Sequence, residues 1–367
     1  MSSSLTLKPS LLSYMEGRNN NFNLLRMLGA LTIMFAHAMF ITIGDDINFE
    51  TYPVKYTLGI TTLNLFFVLS GMLVTASWMK HSDVITYSVS RIMRILPGLM
   101  VVSFVLPFIL GPLVTKLSLA DYFSDIRVWL YWPVTSLLHP DMTLPGVYEG
   151  MPNDAEVNAP LWTLRYEAVL YAGVAFIGLF GWLNVRSRFL LFAGVALGVY
   201  FGVTYLTNLR SIAAIDHLMH FGYAFLVGSA FHIFRDKVPL DLRLGFIGLG
   251  IALLIVWQFG LETGEFLLIP SAAILGCWLA YVPGGVIRYY NGLGDYSYGL
   301  YIWHYPIEQL VCQIYGTITA SHLFLVSLPF ALSAAILSWH FIERPALVSI
   351  KSIVRVLKSF QAKGIKL

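Results

Sequence analysis

Long apolar runs alternate with short polar breaks along this chain, and the runs share one length. A helix needs roughly 20 apolar residues to cross the hydrocarbon core of a bilayer. Ten segments fit that template: 23–43, 57–79, 95–115, 161–183, 187–206, 212–233, 242–259, 266–282, 295–315 and 322–342. One break is long, 116–160, where TLPG and MPND mark turns and 128–138 reads as a short interfacial helix. The pattern predicts an all-α integral membrane protein, a polytopic bundle of about ten transmembrane helices. It is read as a segment 1–22, a transmembrane domain 23–345 with an external loop 116–160, and a basic tail 346–367. No internal repeat or heptad pattern interrupts this plan.

Composition agrees. Charged residues make up 12% of the chain, where soluble domains carry about 25%, so there is no polar stretch from which to build a second, soluble domain. A net charge of +3 gives no reason to expect a nucleic-acid partner. The distribution of charge says more than its sum. With the N-terminus in the cytoplasm, the inner segments collect Lys8, Arg18, Lys80, Arg91, Arg94, Arg186, Arg188, Arg235, Lys237, Arg243 and Arg288, followed by a tail that ends with Lys366. The outer loops keep only Lys55, Lys116, Arg127 and Arg210, and they gather acidic residues such as Asp45, Asp46, Glu50, Asp141 and Asp154. That asymmetry places both termini in the cytoplasm, which an even number of spans requires. The first residues lack an apolar run with a cleavage site, so the first span itself is expected to direct insertion. Cys277 and Cys312 sit in apolar runs and read as packing residues rather than a disulfide.

Several ionisable groups stand at depths that hydrocarbon disfavours. Arg26 and His37 are eleven residues apart in NLLRMLGALTIMFAHAM. At about 100° per residue they share a helix face, and at about 1.5 Å per residue they are about 16 Å apart along it. Arg26 has two readings, a side chain reaching to the inner headgroups or a cation lining a cavity. His37 lies too deep for the first and is either an interhelical hydrogen bonder or a functional group. Asn64, Glu167 and His304 add further polar groups within spans. Together they suggest an acid/base site or a proton relay. Arg91 and Arg94 share a face at the cytoplasmic start of the third span, either as topology signals or as an anion site suited to phosphate. Ser70 and Ser297 could act as nucleophiles, but small residues in membrane helices mostly serve packing, and no nucleophile elbow is present. His217 and His220 have only Asp216 nearby in sequence, and no metal site is expected.

Six stretches together resemble the membrane acyltransferase-3 family: Arg26 and His37 as an Arg-x10-His pattern, LNLFFVLSGML, RIMR before Pro97, NAPLWTLRYEAVLY, LGDYSYGLYIWHYPI, and FIERP with Glu343 and Pro345. The second-helix stretch departs from the family by carrying Asn64 where an acidic residue is common. The chain resembles members without an extracytoplasmic hydrolase-like domain. The resemblance implies a multi-pass protein of the bacterial inner (plasma) membrane. It would move an acyl group, acetyl before succinyl, from cytoplasmic acyl-CoA to a hydroxyl of a glycan or lipid-linked sugar, as in O-acetylation of polysaccharide. No permanently bound cofactor is implied; acetyl-CoA is the expected co-substrate, and membrane lipids surround the chain. On this reading His37 is the general base and Glu167 orients it or contacts the acceptor. Arg26, Arg91 and Arg94 hold the donor phosphates. Trp162 and Tyr166 stack on a sugar or belong to the interfacial aromatic belt, and Tyr298, His304 and Asn64 support the site. A proton-coupled secondary transporter is the alternative from another class, since buried His and Glu along many spans would describe it too. The oligomeric state is not readable from the chain.

Overall fold

Helix forms at every one of the ten apolar segments. The structure is a computed structural model that describes residues 10–15, 20–44, 53–140, 143–151 and 156–363, the side chains of 53–58 and of Glu262 excepted. The helices are α1 (Phe22–Ile43), α2 (Pro53–His81), α3 (Val84–Val105), α4 (Leu164–Leu179), α5 (Arg186–Leu206), α6 (Ala213–Ile233), α7 (Leu242–Phe259), α8 (Leu261–Tyr281), α9 (Ser297–Tyr315), α10 (Ala320–Ser338) and α11 (Arg344–Ala362). Seven stretches among the described residues are individually long and apolar enough to cross a membrane. The others are α4, which has 16 residues, and α6 and α9, which bury polar side chains. Lys8, Arg18, Asp45, Asp46, Glu50, Asp141, Asp154 and Lys366, used above for orientation, lie outside the described residues, as do the last three residues of MPND.

Two boundaries differ from the sequence reading. The third helix begins at Val84 rather than at 95, because Asp83 caps it by accepting from the Thr86 backbone N–H at 3.1 Å. Hydropathy locates the hydrocarbon-compatible part of a helix, not its capped end. Arg91 and Arg94 therefore lie seven and ten residues inside α3 rather than at its start. At the other end, α10 passes through a π-turn, Trp339–Glu343, into α11, so the predicted tail is helical through Ala362. The expected interfacial helix is found at Ile126–Ser136, and Gly146 of TLPG takes φ +70°, the left-handed turn conformation that glycine adopts without strain.

The chain divides into two compact units. The first comprises Met1–Arg26, Ile60–Ser82 and Val169–Leu293. Its core includes Leu11, Phe22, Met72, Cys277 and Tyr281. Within it α2 and α6 approach at two glycines. A side chain on Gly71 would overlap the Phe225 carbonyl, and one on Gly228 would overlap that of Val68. Thr75 Oγ1 donates to Ser229 Oγ at 2.9 Å beside this contact. Small residues that let backbones close in are the usual basis of helix association in membranes. Pro270 lies inside α8 and has no N–H to offer the carbonyl four residues back. The Tyr223 hydroxyl donates to that carbonyl, Phe266 O, at 2.9 Å.

The second unit comprises Met27–Gly59, Asp83–Ala168 and Gly294–Leu367. Ala38, Ile41, Tyr305, Cys312 and Leu323 pack in one of its clusters. Pro306 stands inside α9 and frees the Ile302 carbonyl in the same way. Here the donor comes from the long loop: Asn158 Nδ2 reaches Ile302 O at 2.9 Å, and Tyr148 donates its hydroxyl to Pro306 O at 3.1 Å. The loop is thus bonded to the helix that carries His304. Near its own start it is held by Tyr122, whose hydroxyl donates to Pro107 O at 2.8 Å.

Candidate functional site

Two of the histidines singled out by their depth meet in the second unit. α1 carries His37, half-buried, and α9 carries His304, fully buried. Their rings lie 5.1 Å apart, with His304 Nε2 3.2 Å from His37 Nδ1. Tyr305 stands edge-on to His37 at 5.5 Å.

The backbone settles which nitrogens carry protons. His304 Nδ1 lies 2.9 Å from the Leu300 carbonyl, and His37 Nδ1 lies 3.0 Å from the Ile33 carbonyl. A carbonyl oxygen only accepts, so both Nδ1 atoms must be N–H donors. In the neutral rings both Nε2 atoms are then bare. His304 Nε2 accepts from His37 Nδ1, and His37 Nε2 keeps its lone pair. Each carbonyl belongs to the residue four positions earlier, so the helices themselves impose this tautomer on both rings.

A second group lies at the start of α9. Arg94 forms an ion pair with Asp295, whose other oxygen accepts from Ser297 Oγ at 2.5 Å. Tyr298 donates its hydroxyl to Ile95 O at 2.6 Å, and its ring lies against Gly98. Ser338 Oγ donates to Glu343 Oε1 at 2.7 Å. Glu167 and Glu343 both lie within electrostatic range of Tyr298.

Glu167 falls in the first turn of α4, not two turns into a helix as its place in the apolar run suggested. The residues before it, Ala159–Thr163, form a 3-10 turn with Pro160 at its second position. Tyr301 donates to Pro160 O, and Thr163 Oγ1 bonds the Tyr301 hydroxyl at 2.5 Å. A carboxylate in the first helical turn is favoured by the helix dipole. Tyr166 is buried rather than at an exposed interfacial belt; Trp162 meets it edge-on at 5.7 Å, and the Arg165 guanidinium covers it at 5.1 Å.

The structure thus brings together His37 with His304, and Arg94, Tyr298 and Glu167 around the start of α9. Arg91 lies one turn before Arg94 on α3. Arg26 is half-buried and belongs to the first unit, as does Asn64. Asn64 is buried, and neither end of its amide has a hydrogen-bond partner among the described residues. Ser297 is committed to Asp295, and Ser70 lies 3.1 Å from the Tyr171 hydroxyl. His220 does have a carboxylate beyond Asp216, since Glu265 of α8 lies 2.5 Å from its Nδ1. Sequence separation concealed that pair.

Four residues near the site were not singled out by themselves in the sequence: Asp295, Asn158, Tyr301 and Glu308. Glu308 is fully buried, and neither carboxyl oxygen has a hydrogen-bond partner among the described residues. Its spacing of four from His304 on a predicted helix was the signal available for it. Asn158 could have been sought as a donor for the carbonyl that Pro306 frees.

The sequence profile of the acyltransferase domain matches residues 19–341. A curated relative, nodulation protein 10 of Rhizobium leguminosarum bv. viciae, is 28% identical over 92% of this chain and 96% of its own. An O-acetyl transferase of Shigella phage Sf6 is 22% identical over 89% of this chain and 96% of its own. No solved structure matches the chain.

Proposed function

The chain belongs to the membrane acyltransferase-3 family, and from that membership we propose that it carries an acyl group from acyl-CoA to a hydroxyl of a glycan or lipid-linked sugar, with His37 as general base. The observation that carries this reading is the pairing of His37 Nδ1 with the Ile33 carbonyl and with His304, which leaves Nε2 to accept a proton. The acceptor hydroxyl gives its proton to Nε2 as its oxygen bonds to the thioester carbonyl carbon. The carbon–sulfur bond then breaks, and the leaving thiolate takes the proton back from the imidazolium. An ester and free CoA result, with the histidine restored. His304 accepts from His37 Nδ1 throughout, so it holds the ring and stabilises the cation that forms.

The donor phosphates are assigned to Arg26 and Arg91. Along the continuous helix α1, Arg26 and His37 are eleven residues apart, about 16 Å at the helical rise, a reach comparable to a pantetheine arm. Arg94 is paired with Asp295, which ties α3 to the start of α9, and it is assigned to that positioning rather than to the phosphates. Glu167, Trp162 and Tyr166 are assigned to the acceptor. Acetyl is the first acyl group to test, in keeping with the name of the phage relative. A carrier built on the same histidines has no separate observation in its favour.

Purified protein in nanodiscs, given acetyl-CoA and a panel of glycans, should release free thiol only when an acceptor is present. His37→Ala should lower kcat/KM by about 10²–10⁴-fold, the usual contribution of general-base catalysis, with an unchanged unfolding profile. Near-normal thiol release by that variant removes His37 from the chemistry.

A further inference from the structure

Within the first unit, α4, α5 and α6 enclose a cavity of about 700 Å³. Such a volume lies within the range of built ligand sites. Hydroxyls reach its wall at Tyr200, Tyr223 and Ser229, yet each is engaged elsewhere. Tyr200 donates to the Glu265 carboxylate, Tyr223 to Phe266 O at 2.9 Å, and Ser229 to Phe225 O at 3.1 Å. The cavity therefore offers a guest no free hydroxyl, and apart from the Trp182 indole the rest of the wall is apolar, which favours a hydrocarbon guest. Glycine makes the room. A Cβ on Gly173 would meet nothing within 4 Å, and one on Gly222 only a Leu170 methyl at 4.0 Å.

Length and charge narrow the guest. The lining runs along α5 from Phe189 to Tyr200, eleven residues or about 16 Å. That is half of a hydrocarbon core of about 30 Å, the depth of one leaflet. The rim residues Phe176 and Phe180 are 63% and 60% exposed, as suits a mouth that opens into lipid rather than water. At the Phe189 end stands Arg188, exposed and without an ion-pair partner among the described residues, over the Gly181 turn between the lining residues Phe180 and Trp182. Its neighbour Arg186 is already paired with Asp236 at 2.5 Å.

We propose that this cavity is a lipid site, in which one acyl chain of an anionic phospholipid lies between α4, α5 and α6 and its phosphate is held by Arg188. The site is independent of acyl transfer, and its test reads binding alone. The full chain is reconstituted in vesicles containing phosphatidylglycerol with a photoactivatable acyl chain, and crosslinked peptides are mapped. Labelling should concentrate on the cavity faces of α4 and α6. Gly173→Leu with Gly222→Leu should reduce it at least tenfold, and both changes favour helix, so folding is retained. Gly173→Leu alone, at an open position, serves as the second variant. Arg188→Ala should reduce labelling about fivefold, the effect of one basic group at a lipid phosphate. Equal labelling of wild type and both filled variants, or labelling confined to the outward faces of α5 and α7, overturns the site. Unchanged labelling in Arg188→Ala overturns the placement of the phosphate.

Discussion

At the scale of single residues, one proton decides what His37 can do. The carbonyls of Ile33 and Leu300 fix both imidazoles as Nδ1–H, and His304 then gives His37 an acceptor rather than a competitor. His304 is thus a positioning residue, and a glutamine should replace it better than a leucine. The amide oxygen of His304→Gln can still accept from His37 Nδ1, whereas His304→Leu leaves that N–H with its backbone partner alone. Orienting partners of functional histidines are worth about 10–100-fold, so His304→Leu should lower kcat by that factor with little change in KM. His304→Gln should recover most of it. Equal losses in the two variants, measured by thiol release, would reduce His304 to a packing role. Depth in an apolar run was enough to mark both histidines in the sequence. Their contact was not legible, because 267 positions separate them.

At the scale of elements, proline inside a membrane helix is tolerated where another group bonds the carbonyl it frees. Asn158 does this for α9, and Tyr223 does it for α8. Asn158→Ala should destabilise the protein by about 1–3 kcal/mol, the penalty for a buried carbonyl left unsatisfied. Adding Pro306→Ala supplies a backbone N–H to the same carbonyl, so the double variant should regain much of the loss. Additive losses in thermal unfolding would show that the Asn158 bond is incidental. Helix at the ten apolar segments was legible from run length, and seven stretches among the described residues are long and apolar enough to span a membrane. The late start predicted for the third helix had a physical cause, because an amphipathic, capped extension carries no hydropathy signal. The bond from Asn158 to Ile302 was hidden for another reason: it depends on a loop folding back across 144 positions.

At the scale of the whole molecule, charge pattern and fold act together in the second unit. Lys358 of α11 pairs with Asp83 at the cap of α3 at 2.7 Å. The Lys358 ammonium, with help from Thr86, holds the Asp83 carboxyl down at about 2, below its ordinary value of 3.8. A lowered folded-state value means that the pair stabilises fully above pH ~4 and is lost as pH falls towards about 2. The pair is partly exposed, so its worth is at most about 1 kcal/mol. The stability gap between wild type and Lys358→Met, followed by denaturant unfolding, should therefore be small at pH 5 and close as the pH approaches 2. A gap that persists there would locate the effect in packing of the lysine stem. The basic tail was visible in the sequence, but not that it continues as a helix tied to α3, because no apolar run marks α11.

The contact of α2 with α6 is different in kind. At Gly71 and Gly228 neighbouring backbone stands where a side chain would be, so only glycine fits the crossing. Along α5, by contrast, Gly194, Gly198 and Gly202 have nothing within 4 Å of where a Cβ would stand. A methyl group is therefore admitted along α5 and would pry α2 and α6 apart, which ties the spacing of that crossing to the absence of any side chain there.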